Sequence, residues 1–350
     1  MRGIDLGIDL GSSNIVIYDP RRGVVLDEPS VMTVDAETGE MIAIGREALP
    51  MIGRTPPSLK TIQPIRKGVI SDYKMTERMI QHYMRRVCAY KIFRPRVSLA
   101  MPTAATGMEQ RLVQDAISTC GVRQVVLVDQ PVAAAVGAGL DVGQARGSMT
   151  LNIGGGTTSI ALLTLGGIAS VHAIRVGGDN FDEAIIRYMR YRHNHWVGPL
   201  TAERIKREIG CRSMAIPSDT FPVWVPGRST ETGLPGICSI PAGEIHEAIE
   251  DLVITVGDAV VTALEDSLPE LAGDVVAHGI MLTGRMSLMP ALRERLEELL
   301  GVSCRIAGEP GSRVAAGTTK AAAALRELRS GALLNPRLFE SEEERELEMG

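Results

Sequence analysis

A chain of 350 residues is too long for one small core and predicts two lobes of ordinary domain size. Its 45% hydrophobic and 23% charged residues suit a soluble globular protein, and a net charge of -5 argues against general nucleic-acid binding. No apolar run reaches the roughly 18 residues that a membrane span needs, residues 1–8 read as strand rather than signal peptide, and five scattered cysteines without a C-x-x-C read as reduced core thiols.

Strand-like runs open the chain at 3–10, 15–18, 24–26 and 30–34. Residues 67–72 form a turn before a helix at about 76–88. A buried strand at 96–101, a helix at 108–120, a strand at 124–129 and a small-residue helix at 132–139 complete a first α/β lobe. Residues 143–147 read as a hinge. The plan then repeats, with a hairpin over 149–163, a strand at 168–174 and a helix from 179 to about 194. The Pro-, Gly-, Ser- and Thr-rich stretch 212–241 reads as loops and short strands. A long helix at 242–264, a strand at 279–282 and helices at 290–299 and 313–328 follow. Residues 340–348 hold six glutamates against one arginine and read as a solvated tail.

Two loops of one type lie about 140 residues apart. The first is Asp9-Leu10-Gly11-Ser12-Ser13-Asn14; the second is Asn152-Ile153-Gly154-Gly155-Gly156-Thr157-Thr158. Each joins two apolar strands. Glycines permit close backbone approach, so successive N–H groups converge on an anion. Ser12, Ser13, Thr157 and Thr158 add donors without bulk. One loop of this kind is usually only a turn. Two, each opening half of the chain, predict a duplicated fold clamping the phosphates of a nucleotide.

With these loops, further segments resemble the actin-like, rod-shape-determining MreB/Mbl proteins of bacteria over roughly residues 3–326. They include Asp27-Glu28-Pro29-Ser30, Gly53-Arg54-Thr55-Pro56, Gly68-Val69-Ile70, Pro131-Val132-Ala133-Ala134-Ala135, Arg175-Val176-Gly177-Gly178-Asp179-Asn180-Phe181-Asp182 and Met281-Leu282-Thr283-Gly284. The resemblance implies the α/β actin-like fold shared with sugar kinases and chaperone ATPases, two lobes around a nucleotide cleft. By analogy lobe I is 1–145 with an insert at about 31–70. Lobe II is 146–326 with an insert at about 182–253, and 327–350 is the acidic tail.

The cofactors implied are ATP and magnesium. Asp9, Gly11, Ser12, Ser13 and Asn14 resemble the first phosphate loop, with Asp9 holding magnesium through water. Gly154, Gly155, Gly156 and Thr157 resemble the second, and Gly178 with Asp179 the segment closing on the nucleotide. Glu203 and Lys206, at i and i+3 on a helix, match positions contacting ribose and base. Gly317 matches the last adenine-side loop.

Three positions depart from the pattern. Asn152 stands where the family usually has the Asp that helps hold magnesium, and loses the charge a hard cation prefers. Gln130 stands for the Glu that activates the attacking water; an amide orients water but accepts no proton. The glycine cluster after Thr283 shrinks to Gly284, followed by Arg285 and Met286. Arg285 either stacks on the base, pairs with a phosphate or fills the pocket. The catalytic set, Asp9, Gln130, Asn152 and Thr157, thus predicts slow or absent hydrolysis.

Residues 78–108 carry six basic side chains and no acid before Met108; Ile92 and Phe93 sit between Lys91 and Arg94. A basic patch around an apolar tip suits shallow insertion into an anionic membrane surface, and the position matches a membrane-inserting loop of the family. The expected role is therefore a cytoplasmic filament, peripheral to the inner face of the membrane, that organises cell-wall synthesis and rod shape. Its expected partners are further copies of itself, an MreB-type relative and cell-wall synthesis membrane proteins, with no nucleic acid. The alternatives are a regulatory paralogue that modulates filaments of an active relative, or a small-molecule kinase of the same superfamily.

Overall fold

The computed structural model describes residues 5–88, 94–103, 105–210 and 222–329. Ile92, Phe93 and residues 330–350 of the acidic tail lie outside the described residues. In chain order the first half contains β1 (Asp5–Leu10), β2 (Asn14–Asp19), β3 (Gly23–Pro29), β4 (Met32–Asp35), β5 (Met41–Ile44), β6 (Leu59–Ile62), β7 (Ile65–Arg66), β8 (Val69–Ile70), α1 (Tyr73–Cys88), β9 (Arg96–Met101), α2 (Gly107–Ser118), β10 (Gln124–Asp129) and α3 (Gln130–Gly137). The second half contains β11 (Ser148–Ile153), β12 (Thr158–Thr164), β13 (Gly167–Ile174), α4 (Gly178–Arg192), β14 (His195–Trp196), α5 (Pro199–Gly210), β15 (Pro222–Ser229), β16 (Pro235–Pro241), α6 (Ala242–Glu265), α7 (Pro269–His278), β17 (Ile280–Thr283), α8 (Pro290–Leu300), β18 (Cys304–Ile306) and α9 (Arg313–Arg329).

Two five-stranded sheets share one plan. The first runs β3-β2-β1-β9-β10 and the second β13-β12-β11-β17-β18. In each, three antiparallel strands precede two strands added in parallel. This repeat makes β1 and β11 equivalent, and Asp9 and Asn152 occupy the same place near their ends. Each sheet has its own apolar core. Leu6, Ile8, Val97 and Leu99 pack with Met79, Tyr83 and Ile117 in the first. Leu151, Ile160 and Leu282 pack with Phe181, Ile185 and Val256 in the second.

Helices α3 and α9 join the halves. Ala133 and Ala134 pack with Ala100 and Val128 of the first sheet; Ala135 and Val136 pack with Ala161 and Leu163 of the second. Pro131 starts α3 where a missing N–H costs no helical bond. Gly137 and Gly317 then bring the helices into backbone contact. A Cβ on Gly137 would lie 1.8 Å from the Arg313 carbonyl oxygen, and one on Gly317 at 1.8 Å from that of Ala133.

The structure corrects three expectations. Residues 30–34 are not one strand, because β3 ends at Pro29 and β4 starts at Met32. The described part of 212–241 is a regular hairpin, β15 paired with β16 from Pro222↔Pro241 to Arg228↔Pro235. Helix α7 is an addition; it is only ten residues long, with Val275 buried and Leu271 packed on the core one turn earlier. At the expected hinge, residues 143–147, Gly147 is held against α7. Its N–H donates to Asp274 at 2.7 Å, and a Cβ there would meet the Leu271 carbonyl oxygen at 2.7 Å.

Replacing Gly317 with Ala should lower stability by about 3 kcal/mol, the upper end for overpacking. Urea denaturation measures it, and an unchanged midpoint would mean that α3 and α9 separate freely.

Candidate functional site

Both loops turn in the same way. The Gly11 N–H donates to the Asn14 carbonyl at 3.0 Å, and the Gly154 N–H to that of Thr157 at 2.9 Å. Their other carbonyls are tied back to the fold. Ser30 donates its hydroxyl to the Gly11 oxygen at 2.6 Å and its N–H to the Ser13 oxygen at 2.8 Å. The first two amides of α4, Gly178 and Asp179, donate to the oxygens of Gly154 and Gly155 at 3.0 and 2.7 Å. In a trans peptide the N–H points opposite to the C=O. Anchoring these carbonyls therefore turns the amides of Ser12, Gly155 and Gly156 the other way. Among the described residues, the N–H groups of Ser12, Ser13, Gly155 and Gly156 donate to no protein acceptor. Ser12 and Gly156 are buried, where unspent donors are uncommon.

The loops face each other closely. A Cβ on Gly155 would lie 1.7 Å from Ser13 Oγ, and one on Gly156 2.7 Å from Ser12 Oγ. A third piece, missed in the sequence, touches both. The β7–β8 turn places Lys67 and Gly68 at positive φ, 48° and 72°, the pattern of a tight two-residue hairpin. The Gly68 N–H donates to Ser12 Oγ at 2.8 Å, and a Cβ there would meet Thr157 Cγ2 at 2.6 Å. Lys67 pairs with Glu183 of α4 at 3.5 Å.

Asp9 and Gln130 meet here, with Gln130 Nε2 3.5 Å from Asp9 Oδ1. Burial pushes the Asp9 carboxyl up to about 6, against the Gln130 hydrogen bond and the charge of Arg285. Asp129, one residue before Gln130, is exposed. Asn152 is 3% exposed and is held inside its sheet. Thr283 donates to its Oδ1 at 3.1 Å, and its Nδ2 lies 3.5 Å from Ser159 Oγ. Both neighbours follow from register, Asn152↔Ser159 on one side and Asn152↔Thr283 on the other.

The remaining candidates divide. Asp179 lies beside the second loop, and burial raises its carboxyl pKa despite Lys206. Lys206 is buried under α4, donating to the Gly178 carbonyl and to Asp182, each at 2.9 Å. Burial raises Asp182 to about 6 against the pull of Lys206. Glu203 does not pair with Lys206; it binds Arg207 at 2.6 Å. Gly284 adopts φ 82°, and a Cβ there would strike the Ile153 carbonyl oxygen at 2.2 Å. Gly317, expected on an adenine-side loop, lies inside α9 against the Ala133 backbone, because that crossing admits no side chain. Arg285 pairs with Asp27 of β3, its Nη2 at 2.5 and 2.6 Å from the two carboxylate oxygens.

Magnesium fits this chemistry only in its usual form, with few protein ligands and the rest from water and phosphate. Asp9 supplies one carboxylate. Among the described residues no group of three His, Cys, Asp or Glu forms a cage.

Two sheets of equal order, with paired glycine loops meeting between them, define an actin-like α/β protein. Solved structures agree. MreB5 of Spiroplasma citri bound to AMPPNP superposes with a TM-score of 0.88 at 29% identity, covering 95% of this chain and 100% of that one. A MamK double helical filament shares the fold, with a TM-score of 0.75 at 19% identity over 91% of this chain and 98% of that one. A family model described as MreB/Mbl protein matches residues 3–330. The cell shape-determining protein MreB of Escherichia coli (strain K12) is 40% identical over 324 residues, 91% of this chain and 92% of that protein. The cell shape-determining protein Mbl of Bacillus subtilis (strain 168) is 35% identical over 321 residues, 90% of this chain and 94% of that protein. The chain belongs to the MreB/Mbl family.

Asp9 should titrate near pH 6 by carboxyl-carbon NMR. Its folded pKa lies above the ordinary 3.8, so the stability it contributes is full below about pH 4 and is lost as pH rises through about 6. Asp9→Asn should flatten that part of the pH–stability curve. A midpoint at 4 would mean that the carboxyl is solvated.

Proposed function

We propose that this protein is an actin-like filament subunit that binds ATP with magnesium and hydrolyses it slowly or not at all. The unspent, partly buried amides of Ser12, Ser13, Gly155 and Gly156 carry the reading, because opposed N–H groups of this kind suit a phosphate chain. The S. citri relative bound to AMPPNP or ADP supports the same ligand class. Asp9 would hold the cation through water, Gln130 would orient the attacking water, and Thr157 would face the phosphates. Bound magnesium would offset the phosphate charge. Slow turnover follows from what is missing. Asn152 carries no charge and its amide is engaged inside the sheet; Gln130 accepts no proton. Losing a general base costs on the order of 10²–10⁴-fold in rate.

Titration with a fluorescent ATP analogue should show magnesium-dependent binding, with phosphate release well below that of an active family member. Release at a normal rate, abolished by Asp9→Ala, would sink slow hydrolysis. No binding at millimolar nucleotide would favour the second reading, a paralogue assembling only through an active relative. The Asn152 and Arg285 substitutions are what make that reading worth testing.

The role of the filament follows the curated relatives, whose names state cell-shape determination. Assembly would be peripheral to the cytoplasmic membrane, together with cell-wall synthesis membrane proteins. The small sheet β14-β15-β16 offers a contact surface. Its register puts Trp196, Trp224, Arg228 and Ile237 on one face, with Trp224 63% and Ile237 69% exposed. An exposed apolar face of this kind marks an interaction site. The membrane surface would include Ile92 and Phe93, which follow in sequence the exposed Arg85 and Arg86 at the end of α1.

One assay separates the two surfaces. On anionic liposomes, Trp224→Ser should reduce pelleting of assembled protein while leaving flotation of the subunit intact. Ile92→Ser with Phe93→Ser should abolish flotation. Unchanged behaviour in both variants would discard both surfaces.

A further inference from the structure

Arg285 and Asp27 are 258 positions apart and belong to opposite sheets. Asp27 lies on β3 at the flank of the first loop, where Asn14 Nδ2 donates to its Oδ1 at 3.0 Å. Arg285 follows Gly284, at the end of β17. Its side chain lies over Gly311, where a Cβ would come within 3.0 Å of Arg285 Cγ and 3.3 Å of Nε. The guanidinium therefore crosses from the second half to the first with a bare glycine beneath it. Its Nη2 contacts both oxygens of Asp27, at 2.5 and 2.6 Å. The Lys67–Glu183 pair bridges the halves at a second place, next to Ser12 and Gly156.

We propose that Asp27 and Arg285 form a clasp across the cleft, which holds the two glycine loops together and opens when a phosphate-bearing ligand takes the guanidinium from Asp27. The choice of ligand rests on the nucleotide reading above; the clasp itself does not. A guanidinium binds carboxylate and phosphate by the same charge-assisted hydrogen bonds, so the two compete for it. The ligand must drive the exchange, and its apparent affinity falls by the fraction of molecules that remain clasped. With Arg285 43% and Asp27 33% exposed, the pair is worth a modest bias, about fivefold in population.

Hydrogen exchange on the full chain tests the contact. Peptides covering residues 9–14 and 152–158 should exchange about fivefold faster in Asp27→Asn and in Arg285→Gly. The charge reversal, Asp27→Arg with Arg285→Asp, should restore protection. Asp27→Asn keeps a side chain able to meet Asn14, so a folding defect would be separated by an unchanged circular dichroism spectrum and by the reversal. ATP titration tests the competition: Asp27→Asn frees Arg285 and should tighten binding about fivefold, whereas Arg285→Gly should not match that gain. Equal exchange in all four proteins overturns the clasp, and ATP binding no tighter in Asp27→Asn than in the parent overturns the competition. If neither protein binds ATP yet the exchange pattern holds, the nucleotide reading fails and the clasp stands.

Discussion

Where α3 crosses α9, two glycines let one backbone lie against the other, and both sheets hang from that contact. Gly137 sits against Arg313 and Gly317 against Ala133, with distances that exclude even a methyl group. The alanines on either side of this crossing face different sheets, so the helix pair belongs to both cores at once. Because the joint is close-packed rather than hydrated, β1 and β11 are held with their ends toward each other. The opposition of the two glycine loops depends on this spacing.

Within the cleft the backbone does the work that charged side chains do elsewhere. Ser30 and the first turn of α4 each fix two loop carbonyls, and peptide planarity then fixes the opposing N–H groups. Cationic side chains near the loops are largely committed to acids. Lys206 is spent on Asp182, Lys67 on Glu183 and Arg285 on Asp27. The acids are also restrained, since burial works against ionisation at Asp9, Asp179 and Asp182. Such a site is close to neutral locally, so the anion binding proposed for it would rest on oriented dipoles.

Much of this was legible in the sequence because it is local. Gly11 and Gly154 carry turns that only need their neighbours, and the apolar runs on either side can only be strands. Asn152 and Gln130 were recognised by comparison with a pattern, but their partners were not. Thr283 reaches Asn152 through strand register, which no short window contains. The β15–β16 hairpin was masked by Pro222, Pro226, Pro235 and Pro241. Pro226 is tolerated because β14 is only two residues long and pairs at Arg228 and Ser229, leaving Pro226 without a ladder partner on that side. Arg285 stands out in the sequence beside Gly284, but nothing local points to Asp27 as its partner, because 258 residues separate them. Gly317 was misplaced for a related reason: a glycine in Ala316-Gly317-Thr318 reads as a loop, while its requirement arises from a second helix.

The small sheet has one more consequence. The chain contains two tryptophans, and both sit on the same outward face of β14-β15-β16. Trp196 is half exposed with the Arg228 guanidinium 4.7 Å above its ring, and Trp224 is more exposed still. Indole emission from this protein therefore comes wholly from one patch, remote in sequence from both glycine loops. Any event that covers or uncovers that patch changes colour and intensity without a label, whereas events confined to the first sheet leave the signal unchanged.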